Sequence, residues 1–160
     1  MKGPIALLIL VFMIAGAGKA HAQSPKWEAG IRLGVTNGVE VKRHFKNLDA
    51  VQLMLVSRWD ATFVPLDYQF QYDVTEQLNT KKGVFLLYFG LGLHYSNFNS
   101  DSQIKVGYGG GISGSMGLTY YLENIPLSVG LDFRMFVDYG FQNNMIDLIS
   151  DSALNIRYVF

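Results

Sequence analysis

The stretch Ile125-Pro126-Leu127-Ser128-Val129-Gly130-Leu131-Asp132-Phe133-Arg134-Met135-Phe136-Val137-Asp138-Tyr139 sorts its side chains by parity. The odd positions are Ile125, Leu127, Val129, Leu131, Phe133, Met135, Val137 and Tyr139, all apolar or aromatic. The even positions carry Pro126, Ser128, Gly130, Asp132, Arg134, Phe136 and Asp138. In a chain that is 49% apolar, such a run of one parity arises by chance roughly once in three hundred trials. A helix repeats every 3.6 residues and cannot sort its side chains this way, whereas a strand turns successive side chains to opposite faces. The stretch is a strand.

The same rule, carried outward, divides the chain into eight strands. They run over about 27–35, 39–45, 50–59, 63–74, 84–96, 105–121, 125–139 and 152–160, with Asn37-Gly38 as a two-residue hairpin turn between the first two. The fourth strand sets Val64, Leu66, Tyr68, Phe70 and Tyr72 against Pro65, Asp67, Gln69, Gln71 and Asp73. The fifth sets Phe85, Leu87, Phe89, Leu91, Leu93 and Tyr95 against Tyr88, Gly90, Gly92 and His94. Each is close to the length of a tilted membrane strand, about 9–11 residues.

Upstream of these strands the pattern changes. Met1-Lys2 is a positive start, Ile5 to Ala17 is nearly unbroken apolar sequence, and Ala20-His21-Ala22 places small residues where signal peptidase reads. Residues 1–22 are read as a secretory signal peptide and 23–160 as the folded domain. Gly16, Gly18 and Lys19 interrupt the apolar run, which argues against a membrane anchor helix. Removing 22 of the 160 residues leaves 138, and without Lys2 and Lys19 there are 11 basic against 13 acidic side chains. No basic stripe is available for nucleic acid. The absence of cysteine removes disulfides, thiolate metal sites and a cysteine nucleophile.

Volume decides which parity faces out. The apolar parity holds about forty mostly bulky side chains, and an eight-stranded barrel has an interior only just wide enough for side chains to fill. The other parity is rich in glycine (Gly30, Gly34, Gly90, Gly92, Gly107, Gly109, Gly111, Gly117, Gly130) and carries Glu28, Arg32, Glu40, Lys42, Arg58, Asp67, Asp132, Arg134 and Arg157. Charges of both signs can pair inside a lumen but are costly against lipid. The expected fold is therefore all-β: an eight-stranded antiparallel up-and-down transmembrane β-barrel, closed so that no backbone group is left unpaired in hydrocarbon. Connections at 46–49, 75–82 and 122–125 are expected on the periplasmic side, and those at 36–38, 60–62, 97–104 and 140–151 outside. Aromatics gather at the two rims, with Trp27, Phe45, Tyr72, Phe85, Tyr120 and Tyr158 at one and Trp59, Tyr95, Tyr108 and Tyr139 at the other.

A leader, eight alternating strands and the terminal Leu154-x-Ile156-x-Tyr158-x-Phe160 together resemble the small outer-membrane β-barrel proteins of Gram-negative bacteria. The resemblance covers the whole of 23–160. It implies an integral outer-membrane protein surrounded by outer-membrane lipid. It also implies that Leu154, Ile156, Tyr158 and Phe160 form the assembly signal read by the barrel-assembly machinery. It does not imply one activity, because function resides in sites rather than in folds.

Chemical motifs are sparse. Gly109-x-Gly111-x-x-Gly114 matches a dinucleotide fingerprint in letters, but it lies inside a strand and lacks the helix that would carry a pyrophosphate. No G-x-S-x-G elbow is present. His44 and His94 fall on the lumen parity of different strands without metal-ligand spacing. His94 with nearby Ser96 would suit a lipid-acting enzyme, yet no acidic residue to orient the histidine is identifiable. The expectation is a monomer without cofactor, metal or catalytic role. It would be a structural or surface-interaction barrel with a mostly filled polar lumen. The alternatives are a small porin-like channel, favoured by the small side chains of the sixth strand, and a lipid-modifying enzyme.

Overall fold

The computed structural model describes residues 27–45, 48–58, 61–80, 82–99, 107–142 and 144–160. They form β1 (Trp27–Gly34), β2 (Asn37–His44), β3 (Ala50–Arg58), β4 (Ala61–Asp73), β5 (Val84–Phe98), β6 (Gly107–Tyr121), β7 (Leu127–Gly140) and β8 (Ile146–Val159). Each strand pairs antiparallel with the next and β8 returns to β1, giving a closed up-and-down barrel. At the closing seam Gly30 faces Arg157 and Gly34 faces Ala153. The seam ends on two further bonds, from Val35 N to Ser152 O (3.0 Å) and from Phe160 N to Trp27 O (2.9 Å). The leader expected at 1–22, Trp59, Lys81 and residues 100–106 lie outside the described residues.

Four boundaries differ from the sequence reading. Asn37-Gly38 is not the first turn; both residues belong to β2, and Val35-Thr36 make the bend. Asn37 instead closes that bend from the side, its Oδ1 accepting from Gly34 N at 3.1 Å. β8 starts at Ile146, so much of the loop expected at 140–151 is strand. Inward Ile149 and outward Ser150 and Ser152 blur the apolar parity there, which hid the pairing of Arg134 with Asp151 and of Tyr139 with Ile146. β4 begins at Ala61 and β5 runs on to Phe98, so the connections expected at 60–62 and 97–104 are partly strand. The wall is uneven: β1 to β3 have 8 or 9 residues, β4 to β8 have 13 to 15.

The inside and outside of the sheet are inverted relative to a water-soluble domain. Along β7, Ser128, Gly130, Asp132, Arg134, Phe136 and Asp138 are buried, while Val129, Leu131, Phe133, Met135, Val137 and Tyr139 are exposed. Arg32, Arg134 and Arg157 are fully buried in the lumen, whereas outward Leu91 and Leu93 are 68% and 66% exposed. The lumen is packed in two zones. Towards the end holding the 35–36 bend and the β7–β8 connection, here the upper end, Met54, Val56, Ala61, Phe63 and Phe98 form an apolar plug backed by Ile149. Phe63 stacks on Phe136 with centroids 5.1 Å apart and meets Phe98 edge-on at 5.8 Å. Below the plug, down to the rim that carries Trp27 and Phe160, the filling is charged.

Candidate functional site

The lower lumen is organised by Glu28 of β1. Its carboxylate accepts from Tyr121 Oη at 2.5 Å and from Ser128 Oγ at 2.9 Å, and it contacts His44 Nε2. Arg157 of β8 lies between two carboxylates, with Nε 2.5 Å from Glu40 Oε1 and Nη1 3.9 Å from Glu28 Oε2. Glu40 also accepts from Gln52 Nε2 at 2.6 Å, and a glutamine chain continues through Gln69 to Gln71.

A second cluster fills the middle. Arg32 forks between Asp132 Oδ1 and Asp151 Oδ2, both at 2.5 Å. Asp151 also receives Thr36 N at 3.1 Å and Thr36 Oγ1 at 2.8 Å, which pins the first hairpin to β8. Arg134 bonds to Asp67 and lies 3.6 Å from Asp132 Oδ2. Tyr88 Oη donates to Asp132 Oδ2 at 3.2 Å, and Ser113 Oγ to Asp67 Oδ1 at 2.6 Å. Arg32, Arg134 and Arg157 thus each have a carboxylate partner, as burial of a charge requires.

Inward glycines make these contacts possible. Gly30 sits in register between Glu40 on β2 and Arg157 on β8, so the ion pair forms over a position with no side chain. A Cβ there would come within 2.8 Å of Arg157 Cγ. Gly92 lies in the same way between Asp67 and Ser113, Gly117 between Tyr88 and Asp132, and Gly111 between His94 and Asp138. In each case the polar partners are two strands apart and meet across the gap. The small residues of β6 therefore do not open a channel at this level: the Tyr88 ring occupies the space that Gly117 leaves.

Of the nine lumen charges expected from parity, eight are buried inside: Glu28, Arg32, Glu40, Lys42, Asp67, Asp132, Arg134 and Arg157. Arg58 departs from the expectation. It ends β3 at the upper rim, beyond the plug, where it is exposed and makes no ion pair among the described residues. Lys42 is inside but differs from the arginines. Its ammonium is fully buried, has no hydrogen-bond acceptor among the described residues, and lies 4.9 Å from the centre of the Tyr88 ring.

The acid that sequence could not find for His94 is Asp138. His94 Nε2 lies 2.8 Å from Asp138 Oδ1, and Ser96 Oγ donates to that same oxygen at 2.6 Å. This is a serine, a histidine and a carboxylate, but not wired for nucleophilic catalysis. The serine proton goes to the carboxylate instead of the imidazole, and His94 Nδ1 has no partner among the described residues. All three residues are buried, and His94 is closed in by Phe63 and Phe136 at 6.2 and 4.9 Å between ring centroids. Asp138 already lay on the inward parity of 125–139; its partner was hidden because register, not parity, brings residues 44 apart together. Asp151 was missed with the start of β8.

Among the described residues, no group of three or more histidine, cysteine or acidic side chains is placed to hold a metal ion. The Gly109-x-Gly111-x-x-Gly114 stretch lies wholly within β6. Comparison of the chain with protein-family models, with curated proteins and with solved structures finds no match.

Proposed function

We propose that this chain is an integral outer-membrane β-barrel with a filled, non-conducting lumen, acting as a structural or surface-interaction protein. One observation carries the reading. The closed barrel buries Arg32, Arg134 and Arg157 and exposes a continuous belt of leucine, isoleucine, valine and aromatic side chains. Soluble monomers rarely expose contiguous apolar patches beyond a few hundred Å². A belt around the whole barrel fits hydrocarbon, and closure fits the need to satisfy every backbone group there. On this reading residues 1–22 are the export signal and outer-membrane lipid is the immediate partner. The rim bearing Trp27 faces the periplasm, and the β3–β4, β5–β6 and β7–β8 connections face outward.

Two features favour a plug over a pore: the Arg32–Asp132–Arg134–Asp67 chain across the middle and the Phe63–Phe136 stack above it. The expected outcome is that the protein fractionates with outer membranes, resists salt and alkaline extraction, and migrates differently on gels before and after boiling. In planar bilayers it should give no sustained conductance. Recovery in the soluble periplasmic fraction without detergent would sink the membrane reading. Steady channel currents would sink the filled lumen and leave the membrane reading intact.

A further inference from the structure

Arg43 is the one charged side chain among the outward positions of the eight strands. It lies near the lower end of β2, in register with Trp27 on one side and Val51 on the other. Its guanidinium carbon is 5.2 Å from the centre of the Trp27 ring and 5.8 Å from that of Phe45. Phe45 stacks on Tyr68 at 6.5 Å, and Tyr68 Oη donates to Asp49 Oδ2 at 2.8 Å. That bond engages the Asp49 carboxylate with the phenol. Among the described residues Arg43 has no carboxylate partner. The aromatic rings hold the guanidinium by cation–π attraction, which uses its flat faces. Its five N–H donors point along the edges and stay available.

We propose that Arg43, held by Trp27 and Phe45, is a binding site for the phosphate of a phospholipid headgroup at the lower rim. The inference rests on the membrane reading above, because only there does the outer wall meet lipid. A guanidinium fork matches phosphate oxygens in pairs, and an aromatic rim is where a headgroup meets a barrel wall. The aromatic neighbours fix the plane of the fork in advance, so binding orders little that is not already ordered. The lipid is a membrane-resident phosphodiester, not free phosphate, because the same rim offers apolar surface to its acyl chains at Val41 and Leu53.

The test uses the refolded full-length barrel in detergent, with phosphatidylglycerol as probe and bound lipid counted by native mass spectrometry. Wild type should retain one phosphatidylglycerol that Arg43→Gln binds about five- to tenfold more weakly. Arg43→Lys, which keeps the charge and loses the fork, should fall between them. Phe85→Leu, on another part of the same rim, should match wild type. Inorganic phosphate at equal concentration should not displace the lipid. Equal binding by wild type and Arg43→Gln overturns the site, and displacement by inorganic phosphate overturns the lipid as its source. Insertion of both proteins into vesicles is measured alongside. If both insert while lipid binding is equal, only this site fails; if wild type does not insert, the membrane reading fails with it.

Discussion

Arg157 and Lys42 are both buried cations in the lower lumen, yet their surroundings predict opposite sensitivities to substitution. Arg157 bridges Glu40 and Glu28, so removing it leaves two buried carboxylates without their shared cation. Breaking a buried pair from one side costs about 3–5 kcal/mol. Lys42 makes no hydrogen bond among the described residues and lies over the face of Tyr88. Methionine keeps its length and its contact with the ring while removing an ammonium that burial disfavours. Arg157→Met should therefore lower stability by about 3–5 kcal/mol, and Lys42→Met should change it by less than about 1 kcal/mol in either direction. Urea unfolding of the two variants in the same lipid vesicles gives both values. A loss for Lys42→Met as large as that for Arg157→Met would mean that the lysine charge is needed to balance Glu28, Glu40 and Asp132.

At the scale of the strand, β6 offers a controlled comparison, since it carries glycines on both faces. Gly117 points inward, where a Cβ would lie 2.5 Å from Tyr88 Oη. Gly114 points outward, and nothing lies within 4 Å of the Cβ it lacks. Gly117→Val should push Tyr88 off Asp132 and destabilise the barrel by about 1–3 kcal/mol, the usual cost of overpacking. Gly114→Val should be neutral or stabilising, because valine suits a strand better than glycine does. If both substitutions cost the same, the inward gaps are not what admits the cross-strand partners. Parity identified eight strands and placed eight lumen charges, because the alternation of faces is local to each strand. It did not reveal that Arg32 meets Asp151 or that His94 meets Asp138, since these contacts join strands distant in the chain and depend on the stagger of neighbouring strands. The start of β8 escaped because its inward parity carries apolar Ile149, against the plug, while its outward parity carries polar Ser150 and Ser152.

At the scale of the molecule, closure depends on one seam, and the two sides of that seam are furthest apart in sequence. β1 pairs with β8 from Glu28–Val159 to Gly34–Ala153, and Phe160 N adds a bond to Trp27 O just beyond. The ring of backbone bonds is complete only when the last strand pairs with the first. On the proposed reading the outward residues Leu154, Ile156, Tyr158 and Phe160 of that last strand are the assembly signal, with Tyr158 and Phe160 in edge contact at 5.0 Å. The physical share of Phe160 in the finished barrel is small. It contributes one half-exposed ring and one terminal backbone bond, against a seam of seven registered pairs. Deleting Phe160 should therefore lower stability by only about 1–2 kcal/mol and leave refolding into detergent nearly complete. Insertion in cells should fall much further, because there the strand must be recognised before it can form part of the wall. The measurement sets refolding yield in vitro beside abundance in the outer membrane for the deletion and for wild type. If both fall by the same factor, Phe160 acts through stability alone and the last strand carries no separate signal at its end.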